Sequence, residues 1–258
     1  MGEALIRIGG RRLEVRMTGP PPTDRPTIVF LHPGLGSVST WRDFPARLAE
    51  ACDCGALVFS RAGHGRSDPV DEPLGPDFMH REAFEVLPEL VRLLGLQEFV
   101  FFGQSDGGSI SLIAAGSTVV EGLRGVVAEA AHVFCEQETV RSAEAAMRSF
   151  ESGDLRRKLH PHHEVNTDWV FGTWSGVWTD PSFMEWNIEE FLPRIEVPVL
   201  VIQGAEDEYA TRAQVEAIES GVATTETMWL EDCGHSPHRD AEEAVLERSA
   251  AFVRRVLG

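Results

Sequence analysis

The chain has no run of apolar residues near the roughly 20 that a bilayer-spanning helix needs, and its first residues lack the charged-then-apolar pattern of a secretory leader. It is also short of cysteine. The four present, Cys52, Cys54, Cys135 and Cys233, show no Cys-x-x-Cys or zinc-ligand spacing, and Cys52 and Cys54 are too close in an extended segment to bridge each other. A reduced, cytoplasmic setting is the simplest expectation. Positive charge is scarce as well, with 23 Lys and Arg against 41 Asp and Glu and a formal net charge of −18. Such a surface repels nucleic acid and anionic membrane alike, so neither is expected as a partner, while small neutral or apolar substrates stay compatible. Internal repeats and low-complexity segments are missing too. The 258 residues suffice for one large α/β domain with a sizeable core, or for two small ones.

What is present is organised around residues 98–116, EFVFFGQSDGGSISLIAAG. An apolar, β-rich run reaches a glycine-punctuated turn with Ser105 at its apex, and a helix of small residues follows. A serine at a sharp strand-to-helix turn sits on strained backbone, so its neighbours need side chains that collide with neither element, and Gly103 and Gly107 meet that need. The turn pushes the Ser105 hydroxyl out at the carboxyl end of a strand. There the first amides of the helix, that of Asp106 included, face any negative charge growing on a bound carbonyl oxygen.

Residues 4–17 (ALIRIGGRRLEVRM) alternate apolar and charged positions around Gly9 and Gly10, the pattern of a β-hairpin. Residues 27–31 (TIVFL) predict a buried strand, followed at once by His32, Pro33, Gly34, Leu35 and Gly36. A glycine-rich turn just past a strand leaves backbone amides unpaired, and those of Gly34 or Leu35 are candidates to complete an oxyanion hole with Asp106. Residues 39–51 read as a helix with an irregular first turn at Pro45, and residues 56–59 as another buried strand. The loop 60–68 (SRAGHGRSD) is expected to turn its charges to water, and His64 in it is discounted as a base. Residues 78–94 show a helical apolar pattern kinked at Pro88 and closed by Gly95. Strands are expected over 96–102, 125–131, 197–203 and 225–230, with an amphipathic helix over 241–257. Strands alternating with helices imply an α/β fold, a mostly parallel sheet with helices on both faces.

Residues 132–194 break that rhythm. They hold no convincing strand but four of the six tryptophans, Trp169, Trp174, Trp178 and Trp186. An aromatic-rich helical insertion just past the elbow reads as a cap, or lid, over residues 1–131 and 195–258. Trp174, Trp178 and His132, where the insertion leaves the sheet, are the candidate substrate-binding residues. His160, His162 and His163 cluster here without carboxylate or cysteine partners in ligand spacing, so a solvated loop is expected and no metal site.

A serine hydroxyl needs a base, and the base needs an acid to hold its tautomer. Asp207, in QGAEDE just past a buried strand, and His235, in CGHSPH just past the last strand, supply both at the sheet edge where Ser105 emerges. His238 is the rival base; Glu206, Glu208 and Glu129 are rival acids. The order serine, acid, histidine is the one expected for this topology.

With these residues the sequence resembles the α/β-hydrolase fold family over essentially its whole length, through FLHPGLGS, SRAGHGRSD, GQSDGG, QGAED and CGHS in combination. The resemblance implies an eight-stranded core with a helical cap inserted after strand six and no cofactor. It assigns Ser105 as nucleophile, Asp207 as acid, His235 as base and the Asp106 amide as fixed oxyanion donor. Many members read His-Gly after the third strand; this chain reads His32, Pro33, Gly34, so Gly34 and Leu35 both stand as second donor. The expected activity is hydrolysis of a carboxylic ester. Lactone, thioester, amide and carbon–carbon bond hydrolysis and cofactor-free perhydrolysis run on the same triad, and a ligand-binding or signalling protein on a hydrolase scaffold is the alternative of another class. Serine at the elbow disfavours dehalogenase and epoxide hydrolase chemistry, whose enzymes in this family carry aspartate there.

Overall fold

In the computed structural model, which describes residues 2–258, eight strands form one sheet in the order β1-β2-β4-β3-β5-β6-β7-β8. They are Glu3–Ile8 (β1), Arg11–Thr18 (β2), Thr27–Leu31 (β3), Gly55–Phe59 (β4), Phe99–Gln104 (β5), Leu123–Glu129 (β6), Val199–Gly204 (β7) and Thr225–Leu230 (β8). The hairpin β1–β2 turns at Gly9 and Gly10, both at positive φ, and joins the sheet antiparallel through β4. Every other pairing is parallel.

The parallel strands explain their own composition. Along β3, β5 and β7 every residue is buried, because both faces are covered. Val29, Leu31, Phe99, Phe101, Val199 and Val201 pack into one core, and the alternate residues Ile28, Phe30, Val100, Phe102, Leu200 and Ile202 into the other. Phe44–Cys52 (α1) and the C-terminal helix Glu242–Leu257 cover the second face, through Phe44, Leu48, Phe252 and Val253. The first face carries Phe78–Arg81 (α2), Leu87–Leu94 (α3) and Asp106–Ser117 (α4). Three further helices, Gln137–Glu151 (α5), Asp154–His163 (α6) and Thr167–Trp178 (α7), lie between β6 and β7, and Arg212–Gly221 (α8) lies between β7 and β8. The short Pro237–Asp240 (α9) leads into the C-terminal helix, α10.

Three sequence expectations need correction. The segment 78–94 is two helices joined by a π-helical turn, Glu82–Val86, rather than one helix bent at proline. Pro88 sits in the first turn of α3, where a missing N–H costs little, and the irregularity of the segment is the π turn before it. The loop 60–68 turns only part of its charge to water: Arg66 is exposed, but Ser60, Arg61, His64 and Ser67 are buried. The 160–163 histidines lie on α6 and not on a loop, with His163 fully buried. Among the described residues no group of three or more His, Cys, Asp or Glu is placed to hold a metal ion, and no helix is long and apolar enough to cross a membrane.

Candidate functional site

Parallel register brings the loops after β3, β5, β6, β7 and β8 to one edge of the sheet: Leu31 pairs with Gly103, Gln104 with Glu129, Glu129 with Ile202, and Gly204 with Leu230. Ser105 stands at the centre of that edge at φ 52°, ψ −120°, a conformation that only tight surroundings maintain. Its N–H donates to the Glu129 carbonyl at 2.8 Å, and its own carbonyl accepts from Ser109 N–H at 3.0 Å. The flanking glycines are required by contact. A Cβ on Gly103 would lie 2.2 Å from the Gly107 carbonyl oxygen, and one on Gly107 would lie 2.0 Å from that of Leu31. Asp106 is the first residue of α4, so its N–H has no partner within the helix.

The structure places Asp207 and His235 side by side. Both carboxylate oxygens of Asp207 lie 2.9 Å from His235 Nδ1. The carboxylate is further held by Tyr209 N–H at 2.8 Å and by the Gln203 side-chain amide at 2.7 Å. Burial pushes its pKa up, but the adjacent imidazole and these hydrogen bonds outweigh burial and hold it below the usual carboxylate value. For His235, burial alone would depress the pKa; the charge and hydrogen bond of Asp207, aided by Glu208 and Glu129, raise it above 6.5 instead. With Nδ1 engaged by Asp207, Nε2 is the ring atom left for the cavity that His235 and Ser105 both line. Among the described residues no hydrogen bond joins Ser105 Oγ to His235.

Gln104, next to Ser105 in sequence, donates to the His235 carbonyl at 2.9 Å and to Ser236 Oγ at 3.1 Å, tying the histidine loop to the elbow. The rival groups pair with each other instead. Glu129 accepts from His238 N–H and lies 2.8 Å from His238 Nδ1, and the imidazole packs against the rings of Trp41 and Phe44 at 4.8 and 5.5 Å. Neither Glu129 nor His238 lines the cavity.

The loop 32–36 is held from behind, carbonyl by carbonyl. Arg61 N–H donates to His32 Nε2 at 3.0 Å, which fixes that ring's proton on Nδ1, 2.7 Å from the Pro33 carbonyl. Arg61 itself, buried beside Asp106, also donates to Pro33 O at 3.2 Å. His64 Nε2 lies 3.1 Å from Gly34 O. His163 accepts from Gly65 N–H on Nδ1, which leaves its Nε2 proton for Leu35 O at 3.1 Å. Burial, with the Arg61 charge next, keeps His32 and His64 well below the usual histidine pKa, and burial brings His163 down to about 4. All three rings are therefore neutral near pH 7 and act as fixed hydrogen-bonding groups. Periodicity could not show His64, His163 or Gln104 in these roles, because each partner is far away along the chain; His163 and Leu35 are 128 positions apart.

The cavity over Ser105 has a volume of about 490 Å³. Gly34 and Leu35 line it, as do all three candidate substrate-binding residues, His132, Trp174 and Trp178. The His132 ring lies tilted against those of Trp178 and His235, with centroids 5.1 and 5.9 Å away, and burial, with the charge of His235 next, lowers its pKa to about 4. Gly34 is glycine because a Cβ there would lie 2.2 Å from the Trp174 ring. Sequence inspection missed Leu155, Leu159, Thr139 and Tyr209, which also face the cavity.

A family model described as alpha/beta hydrolase family matches residues 28–248 of the chain. A human protein, serine hydrolase BPHL, is 25% identical over 250 residues, a match covering 93% of this chain and 82% of that one. Among solved structures, VinJ superposes with a TM-score of 0.78 at 23% identity, covering 99% of each chain. The esterase RhEst1 from Rhodococcus sp. ECU1013 superposes with a TM-score of 0.75 at 20% identity, covering 100% of each chain.

Proposed function

The chain belongs to the alpha/beta hydrolase family, and from that premise we propose that it is a serine hydrolase that cleaves a carboxylic ester of a small molecule through Ser105, His235 and Asp207. One observation carries the reading: an imidazole braced at 2.9 Å by a buried carboxylate shares a cavity with a serine held at positive φ on a strand-to-helix turn. In this reading His235 Nε2 takes the Ser105 proton as Oγ attacks the ester carbonyl, while Asp207 keeps the other ring proton on Nδ1 and stabilises the imidazolium. The imidazolium then protonates the leaving alcohol. Water, deprotonated by the same histidine, releases the acid from the acyl-enzyme.

The oxyanion is met by the Asp106 amide and by Gly34 or Leu35. Among the described residues every peptide bond is trans, and a trans peptide sends its N–H opposite to its C=O. Holding Pro33 O on Arg61 and His32 therefore aims the Gly34 N–H away from them, and holding Gly34 O on His64 does the same for Leu35. The donors are oriented before substrate arrives, which makes them effective in the transition state. Every step uses groups of the chain and water, so no cofactor is called for.

Residues 132–194 act as the cap. Its support is that Leu155, Leu159, Trp174 and Trp178, all from this segment, line the same cavity as Ser105. Their apolar surface suits the hydrocarbon part of an acyl or alcohol group.

The test is Ser105→Ala beside wild type, assayed on a short-chain nitrophenyl ester and with a fluorophosphonate probe. Wild type is expected to hydrolyse the ester and take the label; the variant is expected to do neither. Full esterase activity in the variant would end the proposal.

A further inference from the structure

The cavity over Ser105 differs in charge from the molecule around it. Of its 20 lining residues three are permanent cations, Arg42, Lys158 and Arg239, and none is a carboxylate, in a chain with 41 acidic residues against 23 basic. Lys158 is the only lysine in the protein. A second cavity, lined in part by Ile8, Gly9, Arg11 and Leu13 of the β1–β2 hairpin, shows the opposite balance, with Glu72, Glu82, Glu85 and Glu89 against Arg11 and Arg81.

Among the described residues, none of these cations is neutralised by a carboxylate partner. Arginines elsewhere engage carboxylates, as Arg47 does with Glu242 and Glu243 and Arg66 with Glu14. Arg42, Lys158 and Arg239 form no ion pair among the described residues. Of the acids nearby, Asp207 pairs with His235, Glu129 with His238, and Asp240 accepts from Gly234 N–H, while Asp43 and Glu208 lie outside the cavity lining. Three elements bring the cations together. Lys158 and His162 lie one turn apart on α6, His162 bonds Ser39 Oγ at 2.8 Å, and Arg239 donates to Thr40 O at 2.8 Å, beside Arg42. Their mutual repulsion registers at both His162 and Arg239. Burial lowers the pKa of each, and neighbouring arginine lowers it further, Arg42 acting on Arg239 and both arginines on His162, with Glu129 and Asp240 offsetting part of the effect at Arg239.

We propose that this rim is the recognition site for an anionic group on the substrate, so that the preferred substrate is an acyl ester whose far end carries a carboxylate or a phosphate. The ester carbonyl lies at Ser105, the hydrocarbon part runs along Leu155, Leu159 and Trp174, and the anion meets Lys158, Arg42 and Arg239. Where the bond breaks rests on the reading of Ser105 as nucleophile; the anion site does not. A protein of net charge −18 repels an anion at distance, and a local basic cluster reverses that field at the one cavity where chemistry is placed. The expectation of neutral or apolar substrates, drawn from overall charge, is thereby narrowed.

The experiment compares kcat/KM for nitrophenyl esters of equal chain length that end in a methyl, a carboxylate, a phosphate or a trimethylammonium group. An anionic ester is expected to exceed the neutral one by about tenfold, mainly through KM, with the cationic ester poorest and the preference shrinking as salt screens the rim. The carboxylate and phosphate arms identify which anion the site takes. Lys158→Glu and, separately, Arg42→Gln are expected to reduce the anionic-to-neutral ratio several-fold. A neutral ester that matches both anionic ones, or a ratio that ignores salt and both substitutions, overturns the proposal. Calorimetry of glutarate and of inorganic phosphate with Ser105→Ala separates the two readings. Binding that Lys158→Glu weakens, in a protein that hydrolyses no ester, sinks the serine reading and keeps the anion site; absence of binding by either anion, with esterase activity intact, does the reverse.

Discussion

Two histidine–carboxylate pairs stand three residues apart on the same edge of the sheet. His235 lies against Asp207 at 2.9 Å and His238 against Glu129 at 2.8 Å, and both carboxylates are almost wholly buried. Only their surroundings differ. His235 retains 15% side-chain exposure and lines the cavity with Ser105, whereas His238 is 2% exposed and packs on Trp41 and Phe44. A paired imidazole is thus no proof of catalysis. What matters is where the second ring nitrogen points: in the proposed mechanism the pairing makes a base of His235, whereas at His238 it leaves a buried structural brace.

Matched substitutions break the comparison most sharply. His235→Ala is expected to lower kcat/KM by roughly 10³–10⁴-fold, because the nucleophile loses its base, with a stability cost under about 2 kcal/mol since Gln203 and Tyr209 still satisfy Asp207. His238→Ala is expected to reverse the pattern. It leaves Glu129 buried with only the His238 amide as partner and costs about 3 kcal/mol or more, while the surviving enzyme keeps activity within about tenfold. Thermal melts and steady-state kinetics on the two variants decide it. Equal kinetic losses would mean that both pairs serve the chemistry.

The pH profile separates the pairs more finely. A base works only when deprotonated, so kcat/KM is expected to fall with decreasing pH as His235 gains a proton, with the acid limb centred above 6.5 because Asp207 stabilises the imidazolium more than burial destabilises it. Asp207→Asn removes the raising influence and leaves burial, so the residual activity's limb is expected to move to lower pH. A limb that stays in place in this variant, or one that moves only in Glu129→Gln, would assign the titration to the wrong pair.

The contrast also marks how far local pattern reaches. Ser105, Asp207 and His235 were legible because each sits just past a buried apolar run, and residues 27–31, 56–59 and 225–230 announce strands whose ends must share an edge once the sheet is parallel. Choosing Asp207 over Glu206 and Glu208 needed only its place at the turn. The brace was not legible. Glu129 and His238 are 109 positions apart and Gln104 and His235 131 apart, and no periodicity reports contacts at that range. The same blindness made SRAGHGRSD read as a solvated loop: its charge and glycines suggest exposure, and only the packed structure shows Arg61 and His64 spent on backbone carbonyls.

The smallest effect tests whether a brace of the second kind also supports the first. His64 is buried and neutral, touches neither Ser105 nor the triad by any hydrogen bond described, and holds Gly34 O at 3.1 Å. If that contact aims the Leu35 amide, His64→Gln is expected to lower kcat by about tenfold with KM little changed, because an oxyanion donor matters in the transition state more than in the bound substrate. The acid limb of the pH profile is expected to stay where His235 puts it. A shifted limb would make His64 a titrating partner of the base. A change in KM alone would mean that the loop shapes the cavity without meeting the oxyanion, and would leave the Gly34 amide, aimed by Arg61 and His32, as the second donor beside Asp106.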